Sequence, residues 1–69
     1  KQELIFGGRI FNMIKVRVLD FYLSIFDDLF IQDKVNEALE AISYVGYVKD
    51  IQISTTDDKI IYTIIYEAA

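Results

Sequence analysis

The segment of residues 59–67 has the pattern of a β-strand that carries large apolar side chains on both faces. An ordinary surface strand alternates apolar and polar residues, because successive side chains point to opposite faces and one face meets water. Here one face carries four large side chains: Ile60, Tyr62, Ile64 and Tyr66. The opposite face carries Ile61 and Ile65 between polar residues. Such a strand needs cover on both faces, which constrains the fold more than any other feature of the chain.

A chain of 69 residues can place one helix against one face of a small sheet, and little is left to cover the other face. Chains this short bury only about 60% of their unfolded surface, so a partner that covers apolar surface stabilises them. We therefore predict an association module whose partner is a second copy of the chain or a host protein. The predicted interface residues are Tyr62, Ile64, Ile65 and Tyr66, and the pattern leaves open which face of the strand meets the helix.

The residue types that the chain lacks exclude several kinds of site. It has no cysteine and no histidine, so disulfides, the commonest soft metal ligands and the usual general base at neutral pH are missing. We predict no enzymatic activity, no cofactor, no metal site and no small-molecule ligand. The absence of cysteine and of a signal peptide predicts a cytoplasmic protein, and no apolar run approaches the ~18 residues that cross a bilayer.

The charge pattern gives the alternative function. The formal net charge of −4 argues against a general nucleic-acid binder, because such proteins present a basic surface. Yet a period of two places Arg9, Lys15 and Arg17 on one face of a strand, and a basic strand can follow a nucleic-acid backbone. A nucleic-acid-binding module that uses these three residues is therefore the alternative, with a solvated sheet face as the simpler interpretation.

The first half of the chain predicts strand and then helix. Alternation over residues 9–18 predicts a strand that ends at Asp20, and Gly7-Gly8 before it fits a hairpin turn after a short strand over residues 3–6. Residues 21–31 are apolar without a clean period, and we interpret them as a helix capped by Asp20.

A second helix is predicted after Asp33, its expected N-cap. The spacing i, i+3, i+4, i+7 gives it an apolar seam, and Gly46 is expected to end it with a positive φ. The seam consists of Val35, Ala38, Leu39 and Ile42.

The last twenty residues predict an antiparallel hairpin. Alternation over residues 48–54, polar turn residues at 55–58 and the strand over residues 59–67 follow one another directly. The predicted fold is an α+β domain with a small antiparallel sheet, one helical layer and the order (β)-β-α-β-β.

An acidic cluster is formed by Asp27, Asp28 and Asp33. Carboxylates can hold Mg²⁺ or Ca²⁺, but the cluster lacks the spacing of a calcium loop. Acidic residues are also favoured near helix N-termini, and we prefer that interpretation.

Four stretches carry a resemblance: MIKVRVLD at residues 13–20, KVNEAL at 34–39, DIQIS at 50–54 and IIYE at 64–67. In these stretches the chain resembles a family of very small sporulation-associated proteins of spore-forming bacteria and their phages. The resemblance implies the β-α-β-β topology and a bacterial setting, and it supplies no catalytic residue. Residues 21–31 depart from that family, because they are more apolar than its polar connector.

Since the resemblance begins at Met13, residues 1–12 have two interpretations. They are either an N-terminal extension that contains an edge strand or a segment upstream of the natural start. The second interpretation rests on Gly7-Gly8-Arg9, which can be encoded by a purine-rich run of the kind that recruits bacterial ribosomes. In both interpretations, residues 13–69 form a single α+β domain.

Overall fold

The computed structural model of the chain describes residues 13–68. It contains strand β1 (Met13–Tyr22), helix α1 (Asp28–Ser43), strand β2 (Gly46–Thr55) and strand β3 (Lys59–Ala68). The strands form one antiparallel sheet in the order β1-β3-β2. The α+β class and the β-α-β-β order of this part of the chain are confirmed. The strand predicted over residues 3–6 lies outside the described residues.

Strand β3 lies in the centre of the sheet, which explains much of its apolar pattern. It pairs with β1 on one side and with β2 on the other, so each of its residues is buried or half-buried. Ile64 is 0% exposed and packs against Ala38 and Ile42 of α1. The predicted hairpin of β2 and β3 is confirmed, and its turn is closed by Thr56 N, which donates to Lys59 O at 2.9 Å.

Helix α1 presents the predicted apolar seam to the sheet. Ala38 and Ile42 are buried, and Val35 and Leu39 are half-buried. Ile31, which is 5% exposed, extends the seam by one turn towards the N-terminus. Side chains spaced i, i+4, i+7 and i+11 lie on one side of a helix with 3.6 residues per turn, so one continuous stripe faces the sheet.

The predicted N-cap at Asp33 is wrong, because α1 begins at Asp28, six residues before the predicted first helical residue, Lys34. Its N-cap is Asp27, whose Oδ1 accepts a hydrogen bond from Phe30 N at 2.9 Å. This bond satisfies one of the backbone N–H groups that the first turn of a helix leaves without an intrahelical partner. Asp33 instead lies inside the helix, and its side chain is exposed.

The helix predicted over residues 21–31 is also wrong, and long-range pairing is the reason. Phe21 and Tyr22 continue β1 past its predicted end at Asp20, because they pair with Ile60 and Lys59 of β3. Phe21 is buried, and its ring centroid lies 6.0 Å from that of Phe26 and 6.3 Å from that of Tyr62. Only residues 28–31 of the segment are helical.

Replacing Asp27 with alanine is expected to lower the free energy of unfolding by about 1 kcal/mol, because the N–H of Phe30 loses its side-chain acceptor. Urea titration followed by circular dichroism measures this change. Asp33→Ala removes the same charge from the same helix without removing a cap, so its effect should stay within about 0.5 kcal/mol. A larger loss for Asp33→Ala than for Asp27→Ala would contradict the assignment of the cap.

Gly46 does not end the helix, as the sequence predicted, but begins β2. The helix C-cap is Tyr44, which has a right-handed backbone with φ −81° and ψ −18°, and Gly46 is not in the left-handed region. Gly46 pairs with Ala68. A Cβ atom on Gly46 would overlap the carbonyl oxygen of Glu67 and lie 2.9 Å from the Cα atom of Ala68. The close approach of two backbones is therefore what requires glycine here.

Candidate functional site

The sheet has one face turned away from α1, which we call the open face. Residues that pair directly across a sheet share a face, so Arg17 and Ile51 lie on the helix side with their partner Ile64. The next residues along each strand point the other way. The open face consists of Ile14, Val16, Val18, Asp20 and Tyr22 on β1; Lys59, Ile61, Thr63, Ile65 and Glu67 on β3; and Tyr47, Asp50, Gln52 and Ser54 on β2.

An aliphatic stripe runs along β1 and β3 on the open face. Its members on β1, Ile14, Val16 and Val18, are 62%, 57% and 58% exposed. Its members on β3, Ile61 and Ile65, are half-buried. Single exposed apolar residues are ordinary, but a contiguous patch of them marks an interaction surface in most soluble proteins.

Strand β2 adds a column of polar side chains to the open face, beside the aliphatic stripe. Asp50, Gln52 and Ser54 of β2 are all exposed. The carboxylate of Asp50 accepts a hydrogen bond from the N–H of Ile51 at 2.9 Å. The open face is therefore apolar over two strands and polar over the third, and this asymmetry limits how another surface can cover it.

Charged and aromatic side chains occupy the end of the open face where β1 ends and β3 begins, next to the β2–β3 hairpin turn. Lys59 Nζ lies 3.4 Å from Asp20 Oδ2 and 5.0 Å from the centroid of the Tyr22 ring. The pKa of Lys59 is raised, first by the neighbouring Tyr22 and next by the hydrogen bond to Asp20. Lys59 is thus a cation at neutral pH.

A similar group occupies the opposite end, on β2 and β3. The hydroxyl of Tyr47 donates to Glu67 Oε1 at 2.8 Å, and Lys49 Nζ lies 3.4 Å from the same oxygen. The hydrogen bond to Glu67 raises the pKa of Tyr47, because deprotonation would remove the donated proton. The aliphatic stripe thus has a polar rim at both ends, as protein interfaces commonly do.

The four predicted interface residues do not form one surface. Ile64 is fully buried under α1, and Tyr62 and Tyr66 lie half-buried on the same helix side of β3. Ile65 alone lies on the open face, where it pairs with Val16. Sequence reasoning missed the exposed residues of β1. Their alternation was visible, but a period of two does not show which of its two sets faces the helix.

The predicted basic residues lie on the opposite side of β1. Lys15 and Arg17 are exposed on the helix side, paired with Tyr66 and Ile64, and Arg9 lies outside the described residues. Of the residues that the structure describes, only these two provide basic charge on the helix side of β1. Two neighbouring cations contact few phosphates, whereas tight nucleic-acid binders neutralise about six to ten.

The three acidic residues considered for a metal site are not brought together. Asp27 caps the helix through Phe30 N, and no group of three carboxylates within residues 13–68 converges in a way that could hold a metal ion.

The first half of α1 and β3 border an open groove of about 350 Å³. Apolar side chains and one polar row of the helix line it: Leu23, Ile31, Val35, Ile60 and Tyr62 with Asp28, Gln32 and Asn36.

These observations define a class: a small α+β domain with one helix on one side of a three-stranded antiparallel sheet and an exposed aliphatic stripe on the other. Comparison with family models, curated proteins and solved structures finds no match to the chain. Within the described part of the chain, no helix has the length and apolar character needed to cross a membrane.

Proposed function

We propose that this protein is a non-enzymatic association module that binds a second copy of itself through the open face. The observation that carries the proposal is the row of Ile14, Val16 and Val18, each more than half exposed beside half-buried Ile61 and Ile65. Covering apolar surface contributes about 25 cal/mol per Å², which matters for a domain this small.

The size of the open face determines how much of it a dimer must use. Three strands about 4.8 Å apart and ten residues long, at about 3.3 Å per residue, give roughly 450 Å² in flat projection. Two copies therefore bury roughly 900 Å² before the relief of the side chains is counted, and stable interfaces begin at about 1,000–1,200 Å². The whole face, rather than part of it, is needed for a stable dimer.

Replacing Val16 with glutamate is expected to convert the dimer to a monomer. The substitution places a charge in the centre of the covered surface, where burial without a partner costs several kcal/mol. Since each ~1.4 kcal/mol changes a dissociation constant tenfold, we expect a rise of about a hundredfold or more. Light scattering of the full chain across a concentration series measures the change in mass.

Ile53→Glu is the matched control for this experiment. Ile53 is 60% exposed, close to the 57% of Val16, but it pairs with Tyr62 and lies on the helix side of the sheet. The control should keep the mass of the unmodified protein. A monomeric mass for the unmodified chain at every concentration, or equal losses in both variants, would refute association through the open face.

The alternative, a nucleic-acid-binding module, makes a prediction for a second assay, oligonucleotide binding across a series of salt concentrations. The double change Lys15→Glu and Arg17→Glu would abolish salt-dependent oligonucleotide binding if these residues contacted phosphates. Under the association proposal it leaves the mass of the dimer unchanged. We prefer association, because the exposed aliphatic stripe has five members and the basic pair has two.

We further propose a cytoplasmic location in a bacterium. This part of the proposal rests on the absence of cysteine and on the resemblance described above. A sporulation- or phage-related role remains a prediction from that resemblance alone.

A further inference from the structure

We infer that the free edge of β1 binds an extended segment of another protein as an additional strand, and that this segment alternates aliphatic and acidic residues. The sheet has two edge strands, β1 and β2, because the strand order is β1-β3-β2. An edge strand turns half of its backbone N–H and C=O groups away from the sheet, and an extended peptide can pair with them. This edge is a different surface from the open face of the proposed dimer.

A hydrogen bond at the end of β1 shows which of its backbone groups point to the free edge. The N–H of Leu23 donates to the carbonyl oxygen of Asp58 at 2.8 Å, in the register that also pairs Tyr22 with Lys59. Hydrogen-bonded and non-hydrogen-bonded pairs alternate along an antiparallel ladder, so the odd-numbered residues of β1 bond β3. Even-numbered residues turn their N–H and C=O groups outward: Ile14, Val16, Val18 and Asp20. Within the described part of the chain, no hydrogen bond reaches these outward groups.

The other edge strand, β2, does not offer an equal row of groups. Its register with β3 shifts between Val48 and Asp50, and a bulge bends an edge away from further pairing. The bond from Thr56 N to Lys59 O continues the ladder of β2, so Ile51 turns its N–H to the edge. There the carboxylate of Asp50 already accepts it at 2.9 Å. The ten residues of β1 pair with β3 without a register shift, so β1 is the edge that is open to pairing.

Two cations on β1 give the added strand its acidic residues. Lys15 and Arg17 are exposed on the helix side, and neither forms a salt bridge with an acidic residue of the described chain. The other described basic residues each have an acidic partner: Lys34 has Glu37, Lys49 has Glu67 and Lys59 has Asp20. Towards the free edge, Lys15 and Arg17 occupy non-hydrogen-bonded positions, where side chains directly opposite come closest. Acidic residues two positions apart on an added strand would therefore face both cations.

The open-face side of the same edge determines the residues between the acidic ones. Ile14, Val16 and Val18 are each more than half exposed there. Aliphatic side chains on an added strand would lie directly opposite them and cover part of this surface. Apolar pairs and pairs of opposite charge across neighbouring strands are the contacts that stabilise a sheet. The fitting segment therefore has its acidic residues on the helix side and its aliphatic residues on the open face.

Strand β1 of a second copy does not supply these acidic residues. If two β1 strands formed one continuous sheet, helix-side residues of one copy would lie opposite helix-side residues of the other in every register. The helix-side residues of β1 are Met13, Lys15, Arg17, Leu19 and Phe21. None of them is acidic, and like charges directly opposite each other destabilise a sheet. The two cations therefore disfavour pairing between copies at this edge and favour a partner strand of opposite charge.

Fluorescence anisotropy with labelled synthetic peptides tests the pairing on the full chain. The first peptide alternates valine and glutamate over the length of β1, and the matched second peptide alternates valine and lysine. We expect saturable binding of the glutamate peptide and binding of the lysine peptide that is weaker by about tenfold or more. The net charge of −4 on the protein favours the opposite order, so overall charge does not explain this result.

Two sets of variants locate the binding at the edge of β1. The double change Lys15→Glu and Arg17→Glu should reverse the preference between the two peptides. Val18→Pro removes an outward N–H without removing a bond to β3, and it should weaken binding of the glutamate peptide about tenfold or more. Val18→Ala is the matched control, because it shortens the same side chain but keeps the N–H, and its affinity should stay within about threefold.

Any of three results would overturn the inference. The first is no saturable binding of the glutamate peptide, which would mean that another segment or a second copy occupies the edge. The second is an equal or tighter affinity for the lysine peptide, or an unchanged order in the charge-reversed variant. The third is full binding by Val18→Pro when circular dichroism shows that it is folded; if it is unfolded, the charge reversal decides alone. A monomeric mass in light scattering refutes the proposed dimer without affecting this test, because packing of the open faces leaves the edge free.

Discussion

Replacing Ile64 with alanine is expected to lower the free energy of unfolding by about 2–5 kcal/mol, the range for deleting a large aliphatic side chain from a packed core. Ile64 is 0% exposed and contributes to the cluster formed with Ala38 and Ile42. A domain of this size is stable by only about 3–10 kcal/mol, so the variant loses a large share of its stability. Urea unfolding at one fixed protein concentration measures the change, since association makes apparent stability depend on concentration.

Ile53→Ala is the control for this substitution. Ile53 is the same residue type on the same side of the sheet, but it is 60% exposed. Its truncation should therefore cost well under 1 kcal/mol, as for most surface positions. Similar losses for both variants would contradict the position of the core beneath the second half of α1. The comparison also separates folding from association, because neither residue lies on the open face.

The second large effect is expected from Gly46→Ala, which should destabilise the protein by about 1–3 kcal/mol or more. The added Cβ atom would overlap the carbonyl oxygen of Glu67, and backbone atoms cannot rotate away as a flexible side chain does. The pairing of Gly46 with Ala68, at the start of β2, would have to open. Thermal unfolding and amide hydrogen exchange at Ala68 measure the loss of stability and its location.

Val45→Ala tests whether the effect is specific to Gly46. Val45 is the preceding residue and is 54% exposed, so its change should stay within about 0.5 kcal/mol. If Gly46→Ala were as stable as the unmodified chain, the close approach of β2 to β3 at this point would be wrong. The alternative reason for a glycine, a left-handed helix end, would then need to be reconsidered.

Local periodicity was sufficient to predict a helix or a strand wherever one side of that element had a regular apolar pattern. The seam of Val35, Ala38, Leu39 and Ile42 predicted the helix, because a spacing of three and four residues has no other regular structure. The hairpin of β2 and β3 was predictable, because its turn residues separate two strand-like runs. These signals depend on neighbours along the chain, and they do not require knowledge of the tertiary structure.

Residues 21–31 show where local reasoning failed. Eight of the eleven positions are apolar, and no clean period among them distinguishes a strand from a helix. The sequence predicted Asp20 and Asp33 as caps and assigned Asp27 only to an acidic cluster. The pairing of Phe21 with Ile60 decided where β1 ends, and the carboxylate of Asp27 decided where α1 begins. The pairing joins positions almost forty residues apart, and no short window of sequence contains both of them.

The candidate site shows the same division. The sequence by itself determined that β3 has two apolar faces and that Lys15 and Arg17 share one face of β1. Only the tertiary structure decided that Ile64 lies in the core and that Val16 and Val18 lie in solvent. The physical reason is that alternation along a strand divides its side chains into two sets, one for each face, but does not show which set points to the core. The set that becomes buried is the one on the face that the helix covers, and one helix covers only one face of the sheet.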